Sequence, residues 1–148
     1  MINKSKVMYN GETFKLEGTG IKEKETRAKD LAGYFLNSEA YEELDPETVM
    51  YRVEYQDNDL VEGTPGGLYF GITHLYPGVV GAEYFLTKGH FHAKRNTGEY
   101  YFGLEGHGLL MMTENCETIL EEVRPGSVHY IPGNKAHRLI NTGSKELS

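Results

Sequence analysis

From Thr48 to Tyr55 the chain reads TVMYRVEY, with β-branched and aromatic residues taking alternate places, which is the two-residue period of a half-buried strand. The same pattern returns in LYFGITHLYPG (Leu68–Gly78), AEYFLTKGHFH (Ala82–His92), SVHYIPG (Ser127–Gly133) and AHRLIN (Ala136–Asn141). EYYFGLEGHGLLMMT (Glu99–Thr113) reads as a hairpin turning about Glu105–Gly108, and AKRNTG (Ala93–Gly98) as a turn. DNDLVEGTPGG (Asp57–Gly67) carries the Gly, Pro and Asn of a loop or loose hairpin. Before Thr48 the pattern is different. Residues 1–20 read as an extended arm, and KEKETRAKD (Lys22–Asp30) as a solvated connector. NSEAYEEL (Asn37–Leu44) predicts a short helix with Asn37 or Ser38 as N-cap, Glu39 at the positive end of the dipole and Asp45-Pro46 as the stop. Many short strands between turn residues, with one short helix, predict an all-β antiparallel sandwich or barrel. The expected division is one domain over 1–148, with an arm and helix over 1–47 and a β core over 48–148.

Composition narrows the partners. With 22 acidic against 15 basic residues the net charge is -7, which argues against a nucleic-acid footprint but leaves room for a small anion at a locally cationic site. The single cysteine, Cys116, excludes an internal disulfide and points to a reducing, cytoplasmic setting. No apolar run approaches the length of a membrane span, and the first ten residues, MINKSKVMYN, lack a secretory h-region, so no membrane partner is expected.

The chemistry concentrates in GHFHAKRNTGEYY (Gly89–Tyr101). On a strand His90 and His92 project to one face, and a turn at Asn96-Thr97-Gly98 returns the chain so that Glu99 lies beside them. Two imidazoles and a carboxylate from adjacent strands form a face with open coordination positions, as a catalytic metal needs. The plainer alternative is a pair of surface histidines. What tips the balance is a later strand, turn and strand in PGSVHYIPGNKAHRLIN (Pro125–Asn141), which delivers His137.

At this point the residues resemble the cupins. His90, His92, Glu99 and Gly106 stand at the places of the first cupin motif, and Gly126, Pro132, His137 and Asn141 at those of the second. Tyr84 replaces the first motif's initial glycine, and Asn134 replaces a glycine of the second, mildly, since Asn tolerates a left-handed turn. The six residues between His92 and Glu99, with TKGHFHAK (Thr87–Lys94) and THLYPG (Thr73–Gly78), resemble more closely the cupin-type glucose-6-phosphate isomerases. The resemblance runs from about Leu31 to Asn141.

That resemblance implies a cupin double-stranded β-helix, a jelly-roll-like barrel, in a homodimer of glycolysis and gluconeogenesis. It implies one divalent ion per chain, commonly Fe²⁺ and in places Ni²⁺, Mn²⁺ or Zn²⁺, held by His90, His92, Glu99 and His137. The sugar phosphate would place its phosphate near Thr73, Thr87 and Gly89, and its C1–C2 end at the metal, with Tyr51 and Tyr101 lining the pocket. Glu99 would carry the proton between C1 and C2, with a hydride shift as the rival mechanism. Strand periodicity conflicts with part of this. It sets Thr87, Gly89 and Phe91 on the face opposite His90, unless a bulge at Gly89 re-aims the strand or phosphate meets backbone N–H groups. The family also continues beyond the second motif with a strand and a Tyr- and His-bearing segment. A chain ending at Ser148 is therefore expected to leave the His137 strand with an incomplete neighbour, with metal binding intact but activity reduced or absent. The other functions considered are a non-catalytic sugar-phosphate-binding cupin and a cupin Fe²⁺ oxygenase. Of the remaining candidates, His74 is expected to be structural and His107 solvent-exposed, Lys94 and Arg95 to sit in a solvated turn, and Cys116 to be an inert loop residue; the face of His129 is open.

Overall fold

The computed structural model describes residues 2–148. Twelve strands, one short helix and one 3₁₀ turn are formed among them, so the all-β expectation holds. The strands are β1 (Val7–Asn10), β2 (Lys15–Gly18), β3 (Lys22–Arg27), β4 (Val49–Gln56), β5 (Phe70–Leu75), β6 (Val79–Val80), β7 (Glu83–Tyr84), β8 (Glu99–Phe102), β9 (Gly108–Glu114), β10 (Glu117–Val123), β11 (Val128–Ile131) and β12 (Ala136–Asn141). All named pairings are antiparallel: β1 with β2, β3–β4–β5, β6 with β7, β8 with β11, and β10–β9–β12.

The site rests on two of these sheets. Along β12 burial alternates strictly, and His137, Leu139 and Asn141 form the inward row. His137 lies opposite Met112 of β9, and Leu139 opposite Leu110, so a histidine occupies a place in an otherwise apolar row. In the β8–β11 ribbon Glu99 and Tyr101 turn inward while Tyr100 and Phe102 face out. Leu110, Ile131, Leu75 and Met50 are fully enclosed between the sheets. Each such side chain contributes about 1.5–3 kcal/mol of burial.

Ahead of the core, α1 (Ser38–Glu42) is capped as expected, with the Ala40 N–H donating to Asn37 Oδ1 at 3.0 Å. Five residues hold no helix unaided; Tyr41 anchors it through a hydroxyl bond to the Ala28 carbonyl at 2.6 Å.

Three local expectations are corrected, and one strand goes unannounced. Residues 1–20 are not merely an arm, because β1 and β2 pair as a hairpin, and the Leu16 N–H donates to the buried Glu54 carboxylate at 2.9 Å. Lys22–Asp30 is no connector: β3 pairs with β4 from Lys22 to Arg27, and a 3₁₀ turn follows over Ala28–Leu31. Its charges belong to a strand exposed on most positions, where Lys22 pairs with Asp57 and Asp59 and Arg27 with Glu25. Glu99–Thr113 is not a hairpin, since β8 pairs with β11 whereas β9 pairs with β10 and β12. Finally, β10 carried no clear signal. Its pattern is exposed at nearly every position, so no alternation announces it. It is joined to β9 by a tight turn in which Asn115 and the exposed Cys116 both take positive φ (48° and 67°).

The His137 strand is not left with an open edge. It pairs with β9 on one side and meets Leu86 and His90 through isolated bridges on the other. Leu147, fully buried, bridges to Leu75, and the Leu104 N–H donates to the Ser148 carbonyl at 2.7 Å.

Candidate metal centre

The stretch expected as one strand over Ala82–His92 is regular only at Glu83–Tyr84. Beyond it the chain runs beside β12 with a pairing defect. From the Leu86–Ile140 bridge to the His90–His137 bridge one side advances four residues and the other three. The extra residue makes a bulge, and within it Gly89 has φ +73°. Such a bulge is the condition on which simple alternation could set Thr87 and His90 on one face. Thr87 is committed to β12 by its N–H donating to the Leu139 carbonyl (2.9 Å) and its hydroxyl accepting from the Leu139 N–H (3.0 Å). Past the bulge His90 exchanges both backbone bonds with His137 at 3.2 and 3.1 Å.

The three imidazoles therefore converge. Ring centroids lie 4.5 Å apart for His90 and His137, 5.1 Å for His92 and His137, and 5.7 Å for His90 and His92. One nitrogen from each falls within 4.8 Å of the others. Glu99 completes the cluster from β8: its Oε2 is 2.9 Å from His92 Nε2 and 3.2 Å from His137 Nε2.

The donor set fits a divalent cation. His92 Nδ1–H donates to the Thr97 carbonyl at 2.7 Å, which leaves the Nε2 lone pair aimed at a carboxylate unless a proton or a metal lies between. His137 Nδ1 sits 3.4 Å from the Lys135 carbonyl, and its buried Nε2 makes no hydrogen bond among the described residues. A buried nitrogen that meets the Glu99 carboxylate at 3.2 Å without a well-formed hydrogen bond, beside two further imidazoles, fits three-histidine, one-carboxylate ligation.

The electrostatics point the same way. Burial would raise the Glu99 carboxyl, but the adjacent His137 and His92 imidazoles outweigh it and hold it below the ordinary value. For His92, burial lowers the ring's affinity for a proton, yet the bonds to Glu99 and Thr97 prevail and raise it. His90 is lowered by burial and then by His137, which favours the neutral, ligating form. Tyr101 stands edge-on to His137, with centroids 5.8 Å apart. Burial, then the charges of Glu99 and Tyr51, push its phenol well above the usual range, so it keeps its proton.

The family model described as Glucose-6-phosphate isomerase (GPI) matches residues 25–148. The chain belongs to the glucose-6-phosphate isomerase family. Among curated relatives, the glucose-6-phosphate isomerase of Thermococcus kodakarensis is 44% identical over 131 residues, which cover 85% of this chain and 66% of the relative. That of Pyrococcus horikoshii is 42% identical over 132 residues, covering 85% of this chain and 67% of the relative. The chain thus spans about two thirds of the length of the curated relatives it matches. Among solved structures, an oxalate oxidase in complex with the substrate analogue glycolate aligns with a TM-score of 0.43 at 13% identity, covering 87% of this chain and 48% of that one.

Of the residues that the family resemblance assigns to substrate, Tyr101 stands against His137, and Tyr51 stands against Lys88. Tyr51 of β4 and Thr73 of β5 share one sheet face, because Tyr51 opposes Leu75 and Val53 opposes Thr73. The Tyr51 hydroxyl accepts the Lys88 N–H at 3.4 Å and lies close enough to Tyr101 to add to the raising of its phenol, so that face looks toward Tyr101. Thr73 makes no side-chain hydrogen bond with the histidines, and Thr87 and Gly89 lie in the bulge.

His74 is fully buried, with Nδ1 at 2.6 Å from Glu146 and Nε2 at 3.3 Å from Glu54, on the face away from Thr73. His107 is exposed. His129 is buried, bonded to Glu121 (2.6 Å) and Ser127 (2.8 Å). Lys94 and Arg95 are exposed, and the Arg95 guanidinium lies 3.6 Å from the centre of the Phe91 ring. Among the described residues no helix is long and apolar enough to cross a membrane.

Proposed function

We propose that this chain interconverts glucose 6-phosphate and fructose 6-phosphate by metal-dependent aldose–ketose isomerisation, in the cytoplasm, as a homodimer serving glycolysis and gluconeogenesis. The observation that carries the reading is the single Glu99 carboxylate set between the His92 and His137 imidazoles, with His90 completing the triad. His90, His92, Glu99 and His137 would hold one divalent ion, Fe²⁺ in the first instance. When bound, such an ion supplies Lewis acidity for the sugar's carbonyl and hydroxyl oxygens.

The chain's own groups do the rest. Glu99, anionic at neutral pH, takes the proton from C2 of the aldose and returns it to C1. Tyr101, held protonated, offers a hydrogen bond beside that carboxylate. Tyr51 and Thr73 present hydroxyls from the neighbouring sheet face, and the bulge at Thr87 and Gly89 receives the phosphate end.

The test is turnover of fructose 6-phosphate by metal-loaded protein, followed as glucose 6-phosphate, with and without chelator. Chelator-sensitive activity supports the reading, and activity indifferent to His137→Ala refutes it. Binding without turnover would reduce the chain to a sugar-phosphate-binding cupin. Turnover in deuterated water separates the two mechanisms, because solvent deuterium enters the product when Glu99 carries the proton and stays out in a hydride shift.

A further inference from the structure

The row of β12 that carries His137 inward carries Ala136 and Arg138 outward, opposite Thr113 and Met111 of β9. Together with Tyr34, Lys88 and Gly89 this outer face borders a groove of about 280 Å³. His90 and His137, which exchange backbone hydrogen bonds, also line it.

Two cations overlook the groove. The Arg138 guanidinium lies 5.8 Å, and the Lys88 ammonium 5.7 Å, from the centre of the Tyr34 ring. Neither makes an ion pair or a side-chain hydrogen bond among the described residues, and the Tyr34 hydroxyl makes no hydrogen bond there either. Lys88 is exposed, whereas Arg138 belongs with the half-buried cations, whose other members are paired: Arg27 with Glu25 and Glu47, Arg52 with Glu54, Lys135 with Glu114. Arg138 is itself half-buried, so its guanidinium keeps donors free for an anion that enters the groove. Gly89 makes room for it, since a Cβ there would approach Arg138 Nε and Cβ to 3.1 and 3.2 Å.

We propose that this groove is a second anion site, which takes a phosphate dianion between Arg138 and Lys88, with the Tyr34 hydroxyl as a further donor, back to back with the metal centre. A guanidinium fork binds two phosphate oxygens at once and an ammonium meets a third, an arrangement that favours phosphate over a carboxylate. The phosphate would be free or carried by a small metabolite.

Inorganic phosphate titrated into the metal-free full chain, with the Arg138 Nε–H resonance followed by NMR, tests this without any turnover. The expected result is a saturable shift in the wild-type protein that weakens about tenfold or more in Lys88→Met/Arg138→Met and is unchanged in Thr73→Ala. No saturable shift in the wild type, or a shift that survives Lys88→Met/Arg138→Met, overturns it. Calorimetric affinity for fructose 6-phosphate decides the source. It should stay within about twofold of wild type in the Lys88→Met/Arg138→Met variant. A loss parallel to that of phosphate would make the groove the substrate's own phosphate end and end the case for a separate site. Unchanged melting temperature and metal uptake in the variant exclude misfolding as the cause of lost binding.

Discussion

One oxygen of Glu99 faces two imidazole nitrogens, His92 Nε2 at 2.9 Å and His137 Nε2 at 3.2 Å. A carboxylate so shared links three segments: β8, the irregular run after Gly89, and β12. Glu99→Gln keeps the shape and removes the charge. Metal affinity, measured by competition with a chromophoric chelator, should fall at least about tenfold. Any isomerase activity should fall about 10²- to 10⁴-fold. Retained activity in Glu99→Gln would assign proton transfer to another group.

Without metal, the same contacts predict a pH dependence. Glu99 lies below its ordinary value of 4.5, so its contribution to stability is present above that pH and fades as the pH falls through the lowered folded value. His92 lies above its ordinary 6.5, so its contribution is complete below that pH and fades as the pH rises through the raised folded value. The difference in melting temperature between wild type and Glu99→Gln, both in chelator, should therefore be largest between pH 4.5 and 6.5 and shrink on either side. A difference independent of pH would mean that the pair does not form in the metal-free protein.

Gly89→Ala places a side chain at φ +73° and brings a Cβ to 3.2 Å from the His137 carbonyl. Left-handed backbone alone costs about 1–2 kcal/mol in a residue with a Cβ. Denaturant unfolding should show at least that loss. Metal affinity should weaken with it, because the bulge aims His90.

Asn141 is fully buried, donating from Nδ2 to the Leu75 and Lys145 carbonyls at 2.8 Å each and accepting the Gly143 N–H at 3.0 Å. Asn141→Ala strands these groups and should cost about 2–3 kcal/mol in chemical denaturation, with little change in metal affinity. Equal losses in both would show that the turn after β12 also shapes the centre.

Where side chains alternate against a packed face, the sequence could be read directly. β4, β11 and β12 fall within a residue or two of their expected bounds, and His90, His92, Glu99 and His137 meet as their spacing implies. Reading fails where burial is weak or pairing is distant. β3 and β10 are exposed on most positions, so charge concealed them. The partners of β8 were hidden because Glu99–Phe102 and Gly108–Glu114 look like two arms of one hairpin, and only the pairing of Tyr101 with His129, far along the chain, decides otherwise. The bulge at Gly89 could be named only as a condition, since positive φ leaves no mark beyond the glycine itself. Lys88 and Arg138 carry no local mark, since nothing in the neighbouring sequence shows that a cation lacks a carboxylate.

The uneven step between the Leu86–Ile140 and His90–His137 bridges sets sheet regularity against chemistry. Deleting one residue between Leu86 and His90 would let the two strands pair without interruption, and by every local measure would improve the sheet. It would also shift the alternation by one and turn an imidazole away from its partners. Regular pairing and the convergence of the three imidazoles are therefore alternatives, and this fold holds the second at the expense of the first.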